Sequence, residues 1–152
     1  MLKMIKSPCG LQRLAHRLAD WNVPVVPQLI SLFIRFWFAC WFPHTVKVGK
    51  GTTLGYGGLG CVIHSNSVLG ENVHIGAGVL IGRNGRTPGT PVIEDNVYIG
   101  YGAVVMGPIR VGRGSVIGAN AVVMKDVPAG VVVAGVPARI IRKGVDAETY
   151  IS

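Results

Sequence analysis

Four histidines, His16, His44, His64 and His74, are the side chains best suited to carry a proton near neutrality. A positioned imidazole can activate a weak nucleophile such as a hydroxyl, so their settings decide what chemistry is open. His64 stands at the exit of a glycine-rich stretch, Gly57-Gly58-Leu59-Gly60, whose few side chains leave room for a second reactant. His74 lies further on, in a region of regular aliphatic spacing. His16 falls in an amphipathic segment and His44 follows Pro43, and both are expected to be structural or solvated. The plain alternative for His64 is a corner residue, and for His74 an outward polar residue at a subunit contact. Three cysteines, Cys9, Cys40 and Cys61, cannot all pair and match no zinc spacing. A reducing, cytoplasmic setting and no metal are therefore expected.

The elements that position these groups are constrained by composition. At 152 residues the chain is long enough for one domain with a sizeable core. Hydrophobic residues make up 49% and charged residues 14%, which excludes disorder. Twenty-two glycines without a Gly-X-Y triplet exclude collagen. A net charge of +8 points to an anionic partner or a membrane surface. No nucleic-acid or metal motif accompanies it.

Self-similarity then fixes the architecture. Stepping six residues at a time from Ile63 gives Leu69, Ile75, Ile81, Thr87, Ile93, Ile99, Val105, Val111, Ile117 and Val123. Only Thr87 breaks the aliphatic run. Gly follows the aliphatic residue at Gly70, Gly76, Gly82, Gly100, Gly112 and Gly118. Positions two apart within each hexad share a face, as in a strand, and the glycine supplies a corner. Stacked coils of short strands make a parallel β-helix. The register breaks twice. Ile63 lies nine residues beyond Leu54, and Arg83 to Pro91 is polar and rich in Gly and Pro, which predicts an exposed loop.

At the N-terminal end, Leu11, Leu14, Leu18 and Trp21 have helical spacing. Residues 28–42 are nearly all apolar around Arg35, too short for the roughly 20 residues of a membrane span. They are expected to cover the open end of the β-helix. The alternative is an interfacial helix on a membrane, helped by Lys3, Lys6, Arg13 and Arg17.

The hexads, followed by Val122-Val123-Met124-Lys125-Asp126-Val127-Pro128 and Ala134-Gly135-Val136-Pro137-Ala138-Arg139, resemble the hexapeptide-repeat acyltransferases. The nearest types are serine acetyltransferases and small sugar or polysaccharide O-acetyltransferases. The resemblance covers residues 46–143. It implies an all-β, left-handed β-helix with 18 residues per coil, an N-terminal helical segment at 1–45 and a tail at 144–152. It also implies a homotrimer with acetyl-CoA as co-substrate and a hydroxyl acceptor. In this family the carrier touches the residue two past the aliphatic position, which here gives Arg83, Tyr101 and Ala119, stacked 18 apart. Lys125, Arg139 and Lys143 would lie near its phosphates. Serine acetyltransferases keep an Asp-His pair where this chain has Gly55 and Tyr56. That departure moves the expected base to His64, then His74, with Tyr56 left to position or polarise the acceptor. The competing expectations are a non-catalytic β-helix that scaffolds or binds an anion, and a modifier of lipid-linked glycans in peripheral contact with membrane.

Overall fold

In a computed structural model of the chain, which describes residues 7–151, two helices precede a three-walled solenoid. Lys3 and Lys6 lie outside the described residues. Wall 1 stacks β1 (Lys47–Val48), β4 (Val68–Leu69), β7 (Val92–Ile93) and β10 (Arg110–Val111). Wall 2 stacks β2 (Thr53–Leu54), β5 (His74–Ile75), β8 (Tyr98–Ile99), β11 (Val116–Ile117) and β13 (Val131–Ala134). Wall 3 stacks β3 (Val62–Ile63), β6 (Leu80–Gly82), β9 (Val104–Met106) and β12 (Val122–Val123). Every pairing among these strands is parallel. The hexad aliphatics, Ile63 to Val123, point inward and are buried. Each fully buried Ile or Leu removes about 1.5–3 kcal/mol worth of apolar surface from water, and the repeat supplies one per strand.

The corner glycines earn their place by close approach. A Cβ on Gly76 would sit 2.7 Å from Tyr101 N, and one on Gly100 would sit 2.6 Å from Ala119 N, so neighbouring coils could not stack. Left-handed backbone falls two residues later, at Gly78, Gly102 and Asn120, residue types that adopt it most readily.

The two register breaks differ in kind. The first is a tight 3₁₀ turn at Gly55–Gly58, with Tyr56 and Gly57 in left-handed backbone. The second removes residues 83–91 from the wall. Val68 pairs with Val92 and Leu80 with Val104, each 24 residues on, whereas Val104 pairs with Val122, 18 on. That coil therefore carries six extra residues, and Thr87 belongs to the loop rather than to a hexad. Asn84 holds the loop by accepting from the Arg86 and Thr87 N–H groups at 3.1 and 2.9 Å.

The N-terminal cap draws on both helices, with Cys9, Leu11, Ile34, Cys40 and Phe42 in the core. Helix α1 (Pro8–Asp20) starts at Ser7, whose hydroxyl accepts from the Gly10 N–H. Its Gln12 and Arg13 donate to Val46 O, Gly49 O and Thr52 O, at 2.6, 2.8 and 3.2 Å. Open backbone ends need partners; α1 supplies side-chain donors, and Trp41 pairs with Val62, its N–H donating to Cys61 O at 2.9 Å. Helix α2 (Val26–Phe38) spans fewer residues than the apolar run, and its hydrogen-bonding side chains are Gln28, Ser31, Arg35 and Trp37. It packs on α1 and sends Ile34 into the core. Among the described residues, no helix is long and apolar enough to cross a membrane.

At the other end, β14 (Arg139–Lys143) returns antiparallel against β13 and closes wall 2 with an exposed, basic edge. Residues beyond it fold back, and Ala147 and Val145 cover Val116 and Val132 on the outer side of that wall. Cys9, Cys40 and Cys61 are all buried and unpaired. Burial pushes the thiols of Cys9 and Cys40 up to about 12.

Candidate active site

Where walls 3 and 1 meet, four turns stack into one edge. His64 leaves β3, Arg83 follows β6, Gly107 follows β9 and Lys125 follows β12. The His64 N–H donates to Ile81 O at 2.8 Å and the Gly107 N–H to Gly82 O at 3.0 Å. Three coil spacings, about 14 Å, separate His64 from Lys125 along this edge.

A cavity of about 930 Å³ opens at the His64 end. Gln28, Ser31 and Leu32 of α2 form one side, and Trp41, His44, His64 and Arg83 line the other. Its two imidazoles are held in different protonation patterns. The Asn66 N–H donates to His64 Nδ1 at 3.3 Å, so the neutral ring carries its proton on Nε2. The Ser31 hydroxyl donates to Pro27 O at 3.0 Å and accepts from the His44 N–H at 3.1 Å. With that hydroxyl proton committed, His44 Nδ1, 3.3 Å from Ser31 Oγ, is the donor of that contact. His44 is left with a free lone pair on Nε2. His16 Nδ1 donates to His44 O at 2.7 Å and fixes the same residue from the other side. The two imidazoles that line the cavity thus carry one nitrogen able to accept a proton and one able to donate, the combination that proton removal and oxyanion stabilisation require.

At the far end of the edge, a second cavity of about 650 Å³ is lined by Met124, Lys125, Asp126, Ala138 and Arg139. Asp126 accepts from the Arg110 N–H at 2.8 Å. Among the described residues neither Lys125 nor Arg139 is in an ion pair, so both can meet an anion.

The remaining expected site residues are distributed elsewhere. Tyr101 and Ala119 stack on each other where walls 2 and 3 meet, with the Asn120 N–H donating to Tyr101 O at 2.8 Å. Arg83 does not join them, because the six extra residues after Gly82 carry the 18-residue spacing onto a different edge. Lys143 pairs with Val131 at the end of β14, beside the third edge and away from Lys125. Tyr56 is 81% exposed, and its ring centroid lies 6.0 Å from that of Tyr101. His74 lies on the outer face of wall 2, stacked 5.4 Å from the Tyr98 ring, with Nδ1 2.9 Å from Thr53 Oγ1. Burial pulls its pKa below the ordinary 6.5. The first cavity therefore brings together His64 and Arg83 and excludes His74 and Tyr56. His44 and Ser31 are the members that sequence reasoning missed, since their contact spans 13 residues across a helix end and no local pattern marks it. Among the described residues, no group of three His, Cys, Asp or Glu is placed to hold a metal.

A family model for bacterial transferase hexapeptide repeats matches residues 90–125. The chain is 36% identical to the serine acetyltransferase of Synechococcus elongatus over 144 residues, 90% of this chain and 59% of that protein. It is likewise 36% identical to the serine acetyltransferase of Staphylococcus aureus over 149 residues, 93% of this chain and 70% of the relative. Among solved structures, serine acetyltransferase from Brucella abortus in complex with coenzyme A superposes with a TM-score of 0.83 at 36% identity, covering 90% of this chain and 55% of that one. Soybean serine acetyltransferase complexed with serine gives 0.82 at 33% identity, covering 88% and 56%. The chain thus spans little more than half the length of several of these relatives. Its stacked hexads, closing hairpin and near-complete alignment nevertheless agree, and the chain belongs to the serine acetyltransferase family of hexapeptide-repeat proteins.

Proposed function

We propose that this chain is an acetyl-CoA-dependent O-acetyltransferase acting on a hydroxyl of a sugar, a polysaccharide precursor or a comparable acceptor. The observation that carries the reading is the single edge that aligns the two-imidazole cavity with Arg83 and Lys125. Family membership, and a relative solved with coenzyme A, support the donor. Lys125 and Arg139 would meet carrier phosphates through charge-assisted hydrogen bonds. The acceptor hydroxyl oxygen attacks the thioester carbonyl carbon while His44 Nε2 takes its proton. The His64 Nε2–H donates to the developing oxyanion. Collapse breaks the C–S bond, and the proton on His44 passes to the departing thiolate. Serine is the natural comparison, given the family. The roomy, largely apolar cavity and the Gly55-Tyr56 pair favour a larger acceptor.

A homotrimer belongs to the same proposal. Val62, Leu80, Val104 and Val122 form an outward apolar ladder on wall 3. Packing such walls around a threefold axis buries that ladder. It also sets the Tyr101–Ala119 edge of one copy beside the His64–Lys125 edge of the next, which unites residues that one chain holds apart.

Absence of the family's Asp-His pair favours a second reading, a scaffold or anion-binding β-helix without catalysis. Acetyl-CoA consumption measured against serine, free sugars and nucleotide sugars separates the two. Acceptor-dependent release of coenzyme A is the expected result. Carrier binding without release for any acceptor would favour the scaffold.

A further inference from the structure

Helix α2 packs inward through one face and leaves an apolar face on its outer side. Pro27, Ser31 and Ile34 turn inward. Leu29, Leu32, Phe33, Phe36 and Trp37 recur at helical spacing on the outer side, all exposed, with Phe36 at 82% and Trp37 at 75%. The rings of Phe33 and Trp37 stack with centroids 5.7 Å apart, so the outer face forms a continuous aromatic surface. A contiguous exposed apolar patch of this kind marks an interaction surface.

Charge indicates what the surface meets. Before Glu71 the chain carries seven Lys or Arg and one acidic residue, Asp20; from Glu71 onward it carries eight against six. The net positive charge is therefore concentrated in the segment that contains α2. Arg35 flanks the patch, its guanidinium carbon 5.2 Å from the centroid of the Trp41 ring, and Arg17 is exposed on the adjacent helix. A second copy apposed through this face would bring like charges together, whereas an anionic bilayer offers both an apolar interior and negative headgroups.

We propose that the outer face of α2 seats on an anionic lipid surface, with Phe36 and Trp37 entering the headgroup–acyl boundary and Arg35 reaching the phosphates. At 13 residues and 1.5 Å per residue the helix is about 20 Å long, short of the ~30 Å hydrocarbon core; it lies on the surface and does not span. Leu32 and Trp41 border both the patch and the His64 cavity, so docking brings that cavity to the interface.

The experiment is co-sedimentation of the full chain with vesicles of phosphatidylcholine alone and of equimolar phosphatidylcholine and phosphatidylglycerol. Binding to the anionic vesicles is expected, weakened by salt. Phe36→Asp or Trp37→Asp should each lower the partition coefficient by about ten- to a hundredfold, with far-ultraviolet circular dichroism unchanged. Sedimentation of the unmodified chain and these variants without lipid runs in parallel. Absence of binding to anionic vesicles overturns the proposal. So does dissociation of an assembly by Phe36→Asp without any lipid binding, which would assign the face to a second copy. The readout needs no acetyl transfer, so its failure leaves the enzymatic reading standing.

Discussion

His64 and His74 are ten residues apart in a periodic sequence, yet they have opposite surroundings. His64 is at a corner and lines a cavity; His74 projects from mid-wall and stacks on Tyr98. Burial favours the neutral form of His74, lowering its pKa from the ordinary 6.5. The sign follows by linkage: near and below pH 6.5 the unfolded chain binds this proton more readily, so the stabilising preference is complete above about 6.5 and is lost as pH falls toward the lowered value. The melting temperature should fall between pH 7.5 and 5, and His74→Gln should flatten that slope. An unchanged slope would show that His74 is solvated. Glu94, hydrogen-bonded by Arg110 and held below its ordinary 4.5, acts in a separate window at lower pH. The corner position of His64 was legible from its distance to the glycine-rich insertion. The role of His44 was not, because it depends on where the single Ser31 hydroxyl proton goes.

At the scale of elements, the hexad period revealed the solenoid and its strands as far as Val123; the antiparallel return of β14 lies beyond the last hexad and had no periodic signal. The period concealed the loop at 83–91 for a physical reason: an insertion of six residues into a six-residue repeat leaves the phase of every later position intact. Chemistry betrayed the loop while the count did not, and the stacking of Arg83 with Tyr101 failed on that point. Hydrophobicity likewise drew attention to residues 28–42, which send Ile34, Cys40 and Phe42 into the core and pair Trp41 with Val62; it gave no sign that Gln12 and Arg13 of α1 add side-chain donors to the same end. Arg13→Ala should leave Gly49 O and Thr52 O without their side-chain donor, at a cost of about 1–3 kcal/mol, or roughly 2–4 °C in melting temperature per kcal/mol for a domain of this size. A melting curve unchanged by Arg13→Ala would show that water replaces those bonds freely.

For the whole molecule, the residues expected to serve carrier and acceptor are unevenly distributed over one chain. The His64–Lys125 edge and the Tyr101–Ala119 edge lie on different corners, and the proposed threefold assembly would bring them to one cleft. Sedimentation should show a trimer at micromolar concentration, and Val104→Glu, placing a charge in the wall 3 ladder, should yield monomers with an intact fold. A stable unmodified monomer would remove the shared site. The central claim, that transfer occurs at the cavity beneath α2, is tested most directly by the rate of coenzyme A release from acetyl-CoA in the unmodified protein, His64→Ala and His74→Ala, with the best acceptor from the panel. His64→Ala, which removes the oxyanion donor, should lower the rate by roughly 10²–10³-fold with carrier binding retained, and His74→Ala should stay within a few-fold. Full turnover in His64→Ala, or a loss confined to His74→Ala, would contradict it.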